Sequence, residues 1–116
     1  MKIKVLKSKI HNATVTYHNI NYDGSIGIDA ELIEAGNFKK FEKVHVLNID
    51  NGQRLETYII EEARGSGKIC IYGAAAHLIQ KGQKIIILSY ASINIEQSSS
   101  HMPTVVHLNQ SNQVKN

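Results

Sequence analysis

No apolar stretch in this chain runs far before a turn signal stops it, and about half of its apolar residues are branched at Cβ. Seventeen Ile and seven Val stand against eight Ala and seven Leu. Branched side chains lose little freedom on a pleated strand and crowd a helix, so the chain is constrained toward short strands. Lys2 to Ile10 alternates, with Lys2 and Lys4 outward and Ile3 and Val5 inward. Asn12 to Tyr17 reads as a second strand, with Val15 and Tyr17 on one face and Thr14 and Thr16 on the other. Lys43 to Ile49 alternates again, Asp50-Asn51-Gly52 signals a tight hairpin, and Gln53 to Glu61 returns as the partner. Ile69 to Tyr72 is a short buried strand, and Lys84 to Ala91 holds the strongest apolar run, Ile85-Ile86-Ile87-Leu88. Ala30 to Ala35 reads as a short helix capped by Asp29 and stopped by Gly36-Asn37, and Gly73 to Leu78 reads as a helical turn. About seven short strands with so little helix predict a closed β-barrel, because closure removes exposed edges. These patterns leave the barrel type open.

A chain of 116 residues makes one domain. The net charge of +3 is small and its lysines are scattered, which serves solubility and lacks the basic stripe of a nucleic-acid binder. An anionic small substrate is compatible with it. Cys70 is the only cysteine and lies in an apolar run, as a small core residue in a reducing compartment does. The N-terminus lacks the apolar core of a signal peptide, and no run of about 18 apolar residues predicts a membrane span. A cytoplasmic location is therefore expected, with no membrane and no nucleic acid as partner. Ser, Asn and Gln make up 11 of the last 23 residues, which predicts a core domain over 1–93 and a polar, partly disordered tail over 94–116.

Candidate chemistry is sparse. Asn21-Tyr22-Asp23-Gly24-Ser25-Ile26-Gly27 taken alone is a turn leading into a strand. A sharper reading has the Ser25 hydroxyl attack the Gly24 carbonyl. Arg64-Gly65-Ser66-Gly67-Lys68 lacks the spacing of a phosphate-binding loop and precedes a strand, so it also reads as a turn. His11, His18, His45, His77, His101 and His107 show no metal-ligand spacing, so no metal is expected. Glu61 and Glu62 alternate on a strand and point apart, which argues against a carboxylate pair. On the strand after the hairpin, Arg54, Glu56 and Tyr58 share one face, and Leu55 and Thr57 the other.

In order, these pieces are Lys9-Ile10-His11, Tyr22-Asp23-Gly24-Ser25, Asn51-Gly52 with Arg54, Thr57-Tyr58, Arg64-Gly65-Ser66 and Gly73-Ala74-Ala75-Ala76-His77. Their order and spacing resemble the pyruvoyl-dependent aspartate 1-decarboxylase family over roughly residues 1–93. The resemblance implies a mainly β fold, a double-psi β-barrel with two or three short helices. It implies a homotetramer with sites near protomer interfaces, and self-cleavage into 1–24 and 25–116. Ser25 Oγ would attack the Gly24 carbonyl, with the Thr57 hydroxyl stabilising the oxyanion. β-Elimination would leave dehydroalanine at position 25, and hydrolysis would convert it to a covalently bound pyruvoyl group. That ketone would serve as electron sink in place of pyridoxal phosphate, through a Schiff base with L-aspartate. Tyr58 would return a proton to the decarboxylated carbon. Arg54 would grip a carboxylate in two-pronged fashion, Lys9 would add positive charge, and the amides of Gly73, Ala74 and Ala75 would donate to the substrate. The product would be β-alanine for pantothenate synthesis. Two positions depart from the family pattern. Tyr72 stands where many members carry Asn near the pyruvoyl group, which marks it as a possible modulator, and Asn21 stands where His is frequent. A pyruvoyl decarboxylase for another amino acid and a non-catalytic barrel for binding or assembly are the alternative readings.

Overall fold

The structure is a computed structural model and describes residues 1–115. Eight strands are joined by one α-helix and two 3₁₀ turns. They are β1 (Lys2–Thr14), β2 (Tyr17–Asn19), β3 (Ser25–Asp29), α1 (Ala30–Ala35), β4 (Lys43–Asn48), β5 (Arg54–Glu62), β6 (Ile69–Tyr72), β7 (Lys84–Asn94) and β8 (Thr104–His107). The 3₁₀ turns cover Gly73–His77 and Ile95–Ser100. Neighbouring strands follow the order β2-β6-β3-β5-β4-β7-β1-β8.

Only Val15 and Thr16 separate β1 from β2. The Val15 amide donates to the Gln83 carbonyl at 2.9 Å, and the Thr16 amide to the Ile69 carbonyl at 2.8 Å. One bent run of chain therefore borders β7 at its start and β6 at its end. That run closes β6, β3, β5, β4 and β7 into a ring, the mainly β double-psi barrel expected from the resemblance. Strands β3 and β5 run parallel, while β3 and β6 run antiparallel. Ile10, Ile26, Ile28, Ile59, Ile69, Ile71, Ile85 and Ile87 fill the interior beside Val44 and Val46. Each such side chain contributes roughly 1.5–3 kcal/mol by leaving water, so the barrel is held mainly by its isoleucines. No helix among the described residues is long and apolar enough to cross a membrane.

Two expectations are corrected. Asn12 does not begin a separate strand. It takes φ 66° inside β1, where the pairing with β7 shifts between Ile10 and Ala13, so the strand bulges and continues to Thr14. The tail after residue 93 is not a loose polar appendage. β8 pairs in parallel with Ser8–His11 of β1, and Val106 and Leu108 are buried. Asn112 is also buried. Its side chain accepts from the Thr14 amide and donates to the carbonyls of Thr14 and Gly67, each at 2.8 Å. The polar residues that suggested solvation satisfy backbone groups instead.

Asp29 ties the helix to the barrel, and α1 begins where expected. One carboxylate oxygen accepts from the amides of Glu31 and Gly65 and the other from Gly67, each at 2.9 Å. The Gly-Ser step at Gly65-Ser66 is thus the turn that aims two amides at Asp29. Burial opposes the charged form most strongly, yet the Gly67, Glu31 and Gly65 amides together, with the Arg64 charge, hold the carboxyl below its ordinary range. A depressed folded-state pKa stabilises the fold above the unfolded value of about 3.9. The contribution vanishes as pH falls through the lower folded-state value. Asp29→Asn is expected to cost about 1–3 kcal/mol at pH 7 in urea unfolding. At pH 3 the gap to wild type should narrow, and a gap that widens on acidification would contradict the assignment.

Candidate active site

Strand alternation decides what faces what at the head of β3. Ile26 points inward, opposite Ile59 of β5 and Ile71 of β6. Ser25 therefore points to the outer face, opposite Tyr72. It is nonetheless only 4% exposed, because tyrosines stand around it. A cleft of about 470 Å³ opens there, bordered by Ser25, Asp23, Ile60 and four tyrosines, Tyr17, Tyr22, Tyr58 and Tyr72. A second cleft of about 440 Å³ is bordered by Gly24, Glu56, Thr57, Tyr58, Ala74 and Ala75, with Leu55 and Leu78. The two residues of the Gly24–Ser25 bond thus face different clefts, and Tyr58 borders both.

Gly73 holds the loop from behind. It has φ 76°, in the left-handed region that favours glycine. A Cβ built there would lie 2.6 Å from Gly24 Cα and 2.7 Å from Gly24 N. Gly73 is needed both for its backbone angle and for the close approach of the two chain segments. The small residues after it, Ala74 and Ala75, line the Gly24 cleft without filling it.

Two tyrosines that border the Ser25 cleft differ. Tyr58 is 40% exposed, and its hydroxyl has no hydrogen-bond partner among the described residues. The Tyr72 hydroxyl donates to Glu62 Oε2 at 2.8 Å. Burial, and then the bond to Glu62, push the Tyr72 phenol well above its ordinary pKa.

A sequence model of the aspartate decarboxylase family matches residues 1–115. The chain belongs to that family. The aspartate 1-decarboxylase of Caldicellulosiruptor saccharolyticus is 54% identical over 114 residues, 98% of this chain and 89% of that protein. That of Clostridium botulinum strain Loch Maree is 50% identical over 115 residues, 99% of this chain and 91% of that protein. That of Clostridium kluyveri is 47% identical over 114 residues, 98% of this chain and 90% of that protein. The family match extends past residue 93, in keeping with a tail that packs on the barrel.

Within this aspartate decarboxylase fold, one chain gathers Gly24, Ser25, Thr57, Tyr58, Tyr72, Gly73, Ala74 and Ala75. It does not gather Lys9 and Arg54 with them. Neither cleft has a Lys or Arg on its border among the described residues. Arg54 begins β5 on the same face as Tyr58, about 13 Å away along the strand. Lys9 on β1 pairs with Leu88, Leu88 with His45, and His45 with Glu56. It is therefore three strands from β5, about 14 Å across the sheet. Glu62, Tyr17 and Tyr22 were given no role in the site from the sequence. A usable signal existed: the chain has only seven aromatic residues besides histidine, and four of its five tyrosines converge here.

Proposed function

We propose that the chain converts L-aspartate to β-alanine and CO2 with a pyruvoyl group made from its own Ser25, and that it is first cut between Gly24 and Ser25. The single observation that carries this reading is the placement of Ser25. It lies at the buried head of a core-anchored strand, yet on the border of a cleft walled by tyrosines, with Gly24 braced by Gly73.

The residues present fit such a group. Ser25 forms part of the cleft wall, so a ketone at position 25 can meet a small amino acid there. Bound at that position, the group supplies an electron sink for loss of the α-carboxylate. The protein's own groups supply the rest. In the precursor, Ser25 Oγ is adjacent to the Gly24 carbonyl, so little orientation entropy is left to lose. Thr57 borders the Gly24 cleft, where its hydroxyl can donate to the oxyanion formed at that carbonyl. Tyr58 borders both clefts and holds a proton for the carbon that loses CO2. The amides of Gly73, Ala74 and Ala75 donate to the substrate from the Gly24 side.

Aspartate carries two carboxylates, and the clefts of one chain offer it no cation. We assign that role to an assembly. A homotetramer would seat the outer β1 surface carrying Lys9 against the cleft of another copy. The same assembly would have to bring an Arg54 to the substrate, since within one chain it lies outside both clefts. Cationic donors left unpaired by a neutral amino acid would then enforce an acidic substrate.

Intact-mass measurement of the purified protein tests the reading directly. Fragments 1–24 and 25–116 are expected, and borohydride with aspartate should add an amine-derived mass to the larger fragment alone. A full-length chain after long incubation, or a cut at Gly65–Ser66, would overturn it. A non-catalytic barrel would trap nothing.

A further inference from the structure

A polar tether runs beside the Ser25 cleft that the chemistry above leaves unused. Glu62 lies near the end of β5 and Tyr72 ends β6, with β3 between them. The Glu62 side chain crosses β3 to accept the Tyr72 hydroxyl at 2.8 Å. It crosses at Gly27. A Cβ built on Gly27 would lie 2.1 Å from Glu62 Oε2 and 2.8 Å from Glu62 Cδ. Gly27 has an ordinary backbone angle, so its missing side chain, rather than any φ requirement, makes room for the carboxylate. Tyr72, held from this side, packs edge-on against Tyr22 at 5.6 Å and tilted against Tyr17 at 6.2 Å. All three rings border the cleft of Ser25.

We propose that Glu62 is a positioning residue of the Ser25 site: by holding the Tyr72 hydroxyl across Gly27, it fixes the Tyr72 ring as a wall of the cleft and keeps that hydroxyl away from residue 25. The proposal rests on the reading of Ser25 as the cofactor's precursor. Three residues on three adjacent strands make one device: an acceptor on β5, a gap on β3 and a ring on β6. Side chains with long tethers cost rotamer freedom to order, and a bond to a carboxylate is among the few strong enough to offset that. Tyr72 then contributes shape rather than a proton. The direction of its pKa agrees, since a partly buried phenol bonded to a carboxylate keeps its hydrogen.

The test uses the full chain after self-cleavage. Glu62→Leu should raise the KM for aspartate about tenfold, with a smaller change in kcat, as expected for loss of a charge-assisted hydrogen bond that shapes the site. Glu62→Gln keeps an acceptor oxygen and should recover most of that loss. Gly27→Ala displaces the flexible end of Glu62 and should reproduce the Glu62→Leu defect. Combining the two should add nothing further. An unchanged KM in cleaved Glu62→Leu, or defects that multiply, would overturn the proposal. A second measurement needs no turnover. In the uncleaved Ser25→Ala chain, Glu62→Leu and Tyr72→Phe should destabilise non-additively in urea, and strict additivity would overturn the tether. Mass analysis separates the two failures: a cleaved, active wild type with indifferent Glu62 variants sinks the tether alone, while a wild type that never cleaves sinks the Ser25 reading and with it the site the tether serves.

Discussion

Ser25→Ala is expected to give a folded, full-length chain with no decarboxylase activity. The substitution removes one oxygen atom from a side chain that is only 4% exposed. It leaves the strand's support untouched, because Ile26, Ile59 and Ile71 are bound to one another on the opposite face. The change in stability should stay within the range of a small buried polar deletion, about 1 kcal/mol. The change in function should be total, since without Oγ there is neither a nucleophile for the Gly24 carbonyl nor a leaving group at Cβ whose elimination gives the dehydroalanine that water converts to the ketone at 25. Circular dichroism and urea unfolding would report the intact barrel, mass spectrometry the intact chain, and CO2 release the missing turnover. Residual turnover above the no-enzyme rate would show that the reaction does not pass through residue 25. Ser66→Ala is the matched control. Ser66 Oγ accepts only the Lys68 amide, at 3.2 Å, in an exposed turn, so both cleavage and turnover should survive its loss.

What could be read from the sequence follows how local the cause is. The Asp29 cap and the Asn51-Gly52 hairpin depend on neighbours within a few residues, and the Ile69–Tyr72 strand announces itself by its apolar run although it pairs with distant strands; each stands where the pattern predicted. Barrel closure was legible only as a need to hide edges. The two residues that achieve it, Val15 and Thr16, carry no special signal, because backbone amides do most of the work and the Thr16 hydroxyl adds bonds to the backbone of Ile69. The tail was misjudged for a physical reason. Composition cannot distinguish an Asn solvated by water from one whose three polar contacts are backbone groups up to 98 residues away. The motifs Gly24-Ser25, Thr57-Tyr58 and Gly73-Ala74-Ala75 of the candidate site were visible in order, and they border the two clefts or brace them. The Glu62–Tyr72 bond was not, since it depends on the register of three strands. Tyr72 stood out as a departure from the family pattern, and the structure supplies its partner. The separation of Lys9 from Tyr58 within one chain was equally hidden, because a motif's order in sequence says nothing of how many strands lie between its parts.

Tyr58→Phe should part the two halves of the proposed chemistry. Self-cleavage needs a nucleophile at Ser25 and a donor near the Gly24 carbonyl, and neither is the Tyr58 hydroxyl. The variant should therefore mature to fragments 1–24 and 25–116 like wild type. Turnover needs a proton delivered to carbon after CO2 leaves, and loss of a positioned general acid lowers kcat by about 10²–10⁴-fold. KM should move little, because the ring and its packing against Phe41 at 6.4 Å remain. The alternative donor is Tyr72, which also borders the Ser25 cleft. Its hydroxyl is already given to Glu62 at 2.8 Å, and burial with that bond makes its proton harder to remove. A phenol whose hydrogen points at a carboxylate is poorly placed to protonate a carbon on the opposite side. Tyr72→Phe should accordingly behave as a mild shape defect, far from the loss at position 58. If kcat instead collapsed in Tyr72→Phe and survived in Tyr58→Phe, the roles of the two tyrosines would have to be exchanged. The Glu62 bond would then be read as a proton path into the cleft, in place of a restraint that keeps the hydroxyl out of it.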